Sequence, residues 1–341
     1  MADPLIWLTE QDVVSLVTLD DAIPALERGL RALGEGKAFN VPKALGGFGD
    51  GSSMHSLGSG APELGYVGYK NWLHTKRGAT AIYSMFNAAD GSLAAMIEAA
   101  ALGQLRTSAM TGVGTQWMAD PQADEMALIG TGAQAITQVA AVNAVRPLRR
   151  VRVWSPTADK RRAFVAQVAR QFPFAVTEAP TLEAAVDGAP IVTLVTRAKE
   201  PFLSARMLAR GAHLNAVGAI LPANAEFHQD VFERVSWIAV DDIPNLQRGS
   251  REFMERFGKS NDWSAVQPIG DVIAQGRKRP AGCDVTLFKA MGMGLSDLSV
   301  ALMALERARA QGTGRSIPHP VRAVPRWKSA PAPAQEEATH E

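Results

Sequence analysis

The ten residues from Ala127 to Ile136, ALIGTGAQAI, set two glycines and a small residue directly after an apolar run. Gly130, Gly132 and Ala135 fit the pattern G-x-G-x-x-G/A. In that pattern the first glycine permits a tight turn, the second lets backbone approach a pyrophosphate, and the third position allows a helix to pack closely on a sheet. A helix starting there offers free N–H groups and a favourable dipole to an anion. Small residues also serve any tight turn between a strand and a helix, so the surroundings decide the reading. EMALIG before the turn reads as a strand, AQAITQVAAVNAV after it as a helix, and VRVWS as a second strand. The stretch therefore predicts a dinucleotide site in a Rossmann-type α/β domain.

The end of that second strand is where an acid reads the ribose of NAD, or a basic residue a 2′-phosphate. Here it reads Trp154-Ser155-Pro156-Thr157, followed by Lys160 and Arg161. The absence of an acid leans towards NADPH over NADH, although Lys160 and Arg161 also suit the solvated face of the next helix.

Downstream, ADKRRAFVAQVARQF and TLEAAVDG read as helices, and FAVTEA, APIVTLVT, AHLNAVGA and VSWIAVDD as strands, a βαβ alternation that implies a parallel sheet. Upstream, apolar residues at helical spacing mark a helix over 19–34. GYVGYKNWL, ATAIYSMFN and SLAAMIE, separated by the turns Arg77-Gly78 and Asp90-Gly91, read as an antiparallel sheet, with a helix over 104–119 leading out of it. A last helix is expected over 295–312. Beyond Gly314 the chain is rich in Pro and Ala without periodicity, which predicts a largely disordered tail whose beginning is packed.

At 341 residues the chain suits two domains or one large α/β domain with an appendage. A formal charge of +1, with basic residues in short separate groups such as Arg149-Arg150, gives no reason to expect nucleic acid. The lone Cys283 excludes an intrachain disulfide. With no basic and apolar leader and no apolar run of membrane length, it points to the cytoplasm and away from a membrane. No histidine pair has zinc-ligand spacing, so no metal is expected, and no G-x-S-x-G elbow accompanies the serines of GSSMHSLGSG.

Four further stretches, VGYK at 67–70, QLRTS at 104–108, LNAVGA at 214–219 and DVTLFK at 284–289, make the chain resemble the ornithine cyclodeaminase/mu-crystallin family. With the glycine turn they run in family order over residues 10–312. The resemblance implies a substrate-binding and dimerisation domain (1–119 plus about 296–320), an inserted Rossmann domain (120–295), a tail (321–341), and a homodimer formed through the N-terminal sheet. It implies that Lys70 and Arg106 are the catalytic pair that grips a substrate carboxylate, Arg106 heading a helix. Lys43 in VPK stands where many members have arginine, and His55 and Ile220 complete the substrate pocket. His55 reads equally as a loop histidine facing water. Cofactor contacts are assigned to Arg106, Thr107, Gly130, Thr131, Gly132, Ala133, Gln134, Ser155, Thr157, Arg161, Val195, Thr196, Val217, Gly218, Ala219 and Lys289.

Cyclodeaminases of the family place an aspartate where this chain has Ile220, which can neither accept a proton nor hold an ammonium. The expected activity is therefore NAD(P)H-dependent reduction of C=N bonds in small imino acids, beside a nicotinamide where no acidic side chain intrudes. The α-keto acid plus amine, the cyclodeaminase and the mu-crystallin-like binding protein are the alternatives. Of the remaining residues, Asp297 reads as a support of the last helix, Asp284 as an anchor of the domain crossover or a neighbour of the nicotinamide, His74 as a hairpin end, His213 as a strand entry and His228 as a loop residue. His319 and His340 fall in the tail.

Overall fold

A computed structural model describes residues 4–49 and 51–327. The N-terminal part runs β1 (Leu5–Leu8), α1 (Glu10–Leu16), α2 (Leu19–Gly34), β2 (Phe39–Asn40), β3 (Ala44–Phe48), β4 (Ser52–Ala61), β5 (Tyr66–Thr75), β6 (Gly78–Asn87), β7 (Leu93–Glu98) and α3 (Ala100–Met118). Strands β5 to β7 form the antiparallel sheet expected from their alternation, and β4, in the Gly- and Ser-rich stretch that was not read as a strand, extends it on the β5 side. The sheet as a whole is mixed, however, because β1 runs parallel to β7. The run LIWL has no local signal of its partner, which lies about ninety residues away.

Pairing of β4 with β5 sets His55 opposite Trp72 and Leu57 opposite Lys70. Since side chains alternate across a strand, Lys70, Trp72 and His55 share one face, while Tyr69, Leu73 and Met54 share the other. The first face looks towards α11 (Gly294–Gln311), which packs on β4, β5, α2 and α3.

Helix α3 starts at Ala100, not at 104. Glu10 from α1 accepts hydrogen bonds from Ala100 N at 2.7 Å and Ala101 N at 2.6 Å, capping two of the N–H groups that a helix leaves unpaired. The cap comes from 90 residues upstream, so nothing adjacent announces the start. Arg106 therefore sits in the second turn of α3 and does not head it.

The second part continues with β8 (Glu125–Ile129), α4 (Ala135–Val145), β9 (Arg150–Trp154), α5 (Ala158–Gln171), β10 (Ala175–Glu178), α6 (Leu182–Val186), β11 (Ile191–Leu194) and β12 (Ala212–Ala216). It closes with α7 (Val231–Arg234), β13 (Val235–Val240), α8 (Ile243–Gly249), α9 (Arg251–Phe257), β14 (Val266–Pro268), α10 (Ile269–Ala274) and β15 (Val285–Lys289). The strands form one parallel sheet in the order β10-β9-β8-β11-β12-β15-β13-β14. Strand order reverses beside β8, the switch point where the carboxyl ends of such sheets leave a crevice. The short elements α8, α9, β14 and α10 were not foreseen, because six or seven residues cannot establish a helical period.

At the beginning of the segment after Gly314, expected to be packed, β16 (Arg315–Ile317) pairs antiparallel with β1 and completes the first sheet. Residues 318–327 carry no regular structure. Residues 328–341 of the expected tail, His340 among them, lie outside the described residues. Among the described residues no helix is long and apolar enough to cross a membrane.

Candidate functional site

The crevice above β8 is a cleft of about 750 Å³, within the range of small-molecule sites. Gly130 adopts φ +113°, and a Cβ there would stand 2.7 Å from the Val195 carbonyl oxygen. A residue other than glycine is excluded by both. At Gly132 no atom lies within 4 Å of where a Cβ would project, so the backbone borders open space of the kind a diphosphate needs. Ala135, wholly buried at the start of α4, lets that helix close on the sheet. The Gln134 side-chain oxygen is buried without a hydrogen-bond partner. These features fit a dinucleotide. Of the residues assigned to it, Arg106, Thr107, Gly130 to Gln134, Ser155, Thr157, Val195, Thr196, Val217 and Gly218 line the cleft.

Three assigned residues do not line it. The Arg161 guanidinium donates to Glu178 at 2.8 Å and to the Ser155 carbonyl, which ties down the tip of β9 and leaves Lys160, of the two cations after that tip, to line the cleft. Ala219 is wholly buried, its N–H donating to Glu226. Lys289 is wholly buried, its ammonium donating to the Ala219 carbonyl at 2.6 Å.

At the other end of the cleft stands the cation cluster. Lys70, 4 % exposed on β5, donates to Asp297 Oδ1 at 2.7 Å. Arg106 Nε lies 3.3 Å from the same oxygen, without hydrogen-bond alignment. Burial and the Arg106 charge lower the Lys70 ammonium to about 8, with Asp297 opposing both. Lys43 completes the group. Its ammonium and that of Lys70 lie 5.4 and 5.2 Å from the centre of the Trp72 ring. Burial, with Arg106 and Arg248 nearby, lowers Lys43 as well. His55 stacks flat on Trp72 at 4.5 Å, donates or accepts through Nε2 with Ser53 Oγ at 2.8 Å, and has a buried Nδ1 without a partner. Burial, then Lys43 and His74, lowers its pKa, which favours the neutral ring. Ile220, 42 % exposed, borders the cleft from the loop after β12.

Two buried acids correct the expectation that no acidic side chain intrudes. Asp297 is wholly buried and does more than support its helix: it bridges Lys70 and Arg106 and keeps Oδ2 unpartnered. An acid in GLSDLSV, flanked by apolar residues on a helix face, must pair when buried, and that was the available signal. Asp241, at the end of β13, borders the cleft and accepts from Met291 N and Gly292 N, and burial raises it to about 6. Its bonds hold the 291–292 backbone against the Arg106 guanidinium.

The other singled-out residues play local roles. Asp284 pairs with Arg234 at 2.7 Å, away from the cleft. His213 is wholly buried between Thr286 and Asn215, and burial pushes its pKa down to about 3. His74 is exposed at the β5 end, His228 lies in a loop, and His319 follows β16. Among the described residues no group of acids, histidines and cysteine is placed to hold a metal ion.

The profile of the ornithine cyclodeaminase/mu-crystallin family matches residues 5–312. An alanine dehydrogenase from Archaeoglobus fulgidus is 27% identical over 323 residues, 91% of this chain and 97% of its own length. A Delta(1)-pyrroline-2-carboxylate reductase from Bacillus cereus is 32% identical over 238 residues, 67% of this chain and 70% of its own length. Among solved structures, the Thermococcus litoralis Delta(1)-pyrroline-2-carboxylate reductase, in complex with NADH and L-proline, superposes with a TM-score of 0.85 at 21% identity, over 92% of this chain and 100% of that one. The glycine turn at the switch point, the cation cluster on the adjoining sheet and the match over nearly the whole described fold lead to one conclusion: the chain belongs to the ornithine cyclodeaminase/mu-crystallin family.

Proposed function

We propose that this protein is an NAD(P)H-dependent reductase of C=N bonds in small imino acids, either cyclic ones or those formed from an α-keto acid and an amine. The observation that carries the reading is the gathering of Lys43, Lys70 and Arg106 beside a dinucleotide-type cleft whose facing wall is the apolar Ile220. Lys70 and Arg106 share the single carboxylate Asp297, with the Lys43 ammonium close enough to feel Arg106, which leaves positive charge for a substrate carboxylate. The planar guanidinium of Arg106 suits both its oxygens. At neutral pH Lys70, lowered only to about 8, remains mostly charged and adds to the grip.

A reduced nicotinamide, when bound, supplies a hydride to the imine carbon. The chain's own contribution is placement: Arg106 and Lys70 hold the carboxylate, Trp72 and His55 wall the pocket, and Ile220 excludes water from the hydride path. Ring-closing deamination needs a group that takes a proton from, or holds, a substrate amine. Ile220 offers neither, and the Asp241 carboxylate that borders the cleft is taken up by the backbone N–H groups of Asp242, Met291 and Gly292. At the ribose end, Lys160 and the absence of a carboxylate at residues 155–157 support the preference for NADPH over NADH.

The test is a panel of pyrroline-2-carboxylate, piperideine-2-carboxylate and pyruvate with ammonia or methylamine, each with NADH and NADPH, beside ornithine alone. Coenzyme oxidation with the carboxylate imines is expected. Ammonia release from ornithine with no imine reduced would overturn the reading.

The same reading places a second copy of this chain on the outer face of the N-terminal sheet, where Met54 is 58 % and Leu73 44 % exposed beside Tyr69. An apolar sheet face of this kind is covered in a stable assembly. Sedimentation of the wild type is expected to give a dimer, and of the M54K/L73K variant a monomer. A wild type that sediments as a monomer removes the proposal.

A further inference from the structure

We propose that Glu226 is a positioning residue that sets the reaction end of the cleft, its carboxylate clamping the loop after β11 to the loop after β12. The inference depends on the reading of the cleft as a dinucleotide site. Glu226 follows Ile220 by six residues in GAILPANAE and is wholly buried behind the cleft wall. Its Oε1 accepts from Thr196 N at 2.7 Å and Thr196 Oγ1 at 2.8 Å, and its Oε2 from Gly218 N and Ala219 N, both at 3.0 Å. All four donors belong to the two loops, and Thr196, Gly218 and Ile220 of those loops border the cleft.

The fit leaves no slack. A Cβ at Gly218 would lie 2.3 Å from Glu226 Oε1 and 2.3 Å from both Thr196 N and Thr196 O, so glycine is required for the loops to meet across the carboxylate. Burial raises the Glu226 pKa, and Lys289 with the bonds from Thr196 and Ala219 opposes it. Lys289 thus has its role here, beneath the clamp: it donates to the Ala219 carbonyl. Behind it, Glu252 accepts from the Glu226 backbone N at 3.0 Å and from Ser250 Oγ at 2.9 Å, and makes no hydrogen bond to Thr196, Gly218 or Ala219.

A carboxylate accepts from all four donors; an amide of the same shape cannot, because in either orientation its NH₂ faces at least one N–H, that of Thr196 or those of Gly218 and Ala219. E226Q therefore releases one loop. A displaced wall of a binding site costs affinity and alignment together.

The experiment is fluorescence titration of NADH and NADPH into wild type, E226Q and E252Q, at a temperature where circular dichroism shows each folded, with imine KM measured at saturating coenzyme. The coenzyme Kd is expected to weaken about tenfold or more in E226Q and to stay within about twofold in E252Q, with imine KM at saturating coenzyme raised in E226Q, whose released loop carries Ile220, and within about twofold in E252Q. Should E226Q not fold, T196V, which removes one donor and keeps the shape, is expected to weaken coenzyme binding about threefold. Equal coenzyme affinity in wild type and the clamp variant overturns the inference, as does equal weakening in E226Q and E252Q. A wild type that binds neither coenzyme overturns the dinucleotide reading instead.

Discussion

R106M is expected to lower kcat/KM for a carboxylate-bearing imine by about 10³-fold, equivalent to about 4 kcal/mol of lost transition-state stabilisation. Arg106 is, among the described residues, the member of the cation cluster that also borders the cleft. Its removal takes away the fork that orients the imine and leaves Lys70 still paired with Asp297 at 2.7 Å, so the fold keeps its buried ion pair. The loss falls on placement: two charge-assisted bonds disappear, each stronger than a neutral one, and the imine carbon is no longer held in line.

Two comparisons isolate the cause. R106K is expected to recover only part of the loss, since a lysine is a point charge and cannot present two parallel N–H groups. A cyclic imine without a carboxylate is expected to be a poor substrate of the wild type and to lose less than about threefold in R106M. Steady-state kinetics on both imines reads this directly. A variant that keeps wild-type efficiency on the carboxylate imine, or loses as much on the imine without one, contradicts a carboxylate clamp at residue 106.

What was legible in the sequence was what neighbouring residues decide. The turn at Gly130 and Gly132 is a local event, as a positive φ and a close approach within a few residues of a strand demand glycine whatever the rest of the chain does. Helix α2 likewise starts and stops where its own residues say, with Thr18 and Asp21 forming a capping box and its apolar stripe facing the core. Lys70 and Arg106 were found through motifs of the family they belong to. The partner that unites them was missed because Asp297 lies 227 residues from Lys70 in the chain. The Glu10 cap on α3 and the Glu226 clamp were missed for the same reason. Each is a carboxylate that satisfies backbone N–H groups of a distant helix or of another loop, Thr196 N for Glu226, and nothing in its immediate neighbours separates it from a surface acid. Lys289 was misassigned in the opposite direction. A lysine closing an apolar strand beside a cofactor domain looks like a ligand contact, yet β15 is central in the sheet and its end is sealed by Ala219 and Glu252.

Asp297 carries the second large effect, in D297N. In the wild type the alkaline limb of the kcat/KM profile is expected near pH 8, where the Lys70 ammonium loses its proton and the clamp loses a charge. Asp297 is the acid that opposes the lowering of Lys70 by burial and by Arg106. Neutralising it removes that opposition, so the limb is expected to move to lower pH by about one unit or more. At pH 7.5 the loss is then severalfold from titration alone, on top of the misalignment of Arg106. The stability sign follows from the same shift. Lys70 has a folded pKa below its unfolded value of 10.5, so the unfolded chain binds the extra proton between those two values, and the wild type gains stability as pH rises from about 8 towards 10.5. D297N widens that window downward, and leaves two cations facing each other in a buried site, a cost of about 3 kcal/mol at neutral pH. Thermal melts at pH 6 and pH 9 read this as a deficit in the variant that narrows at the higher pH. The titration of the imine substrate itself is common to both enzymes and cancels in the comparison. An alkaline limb at the same pH in D297N and wild type, measured where both are folded, would show that Asp297 sets neither the charge of Lys70 nor the clamp.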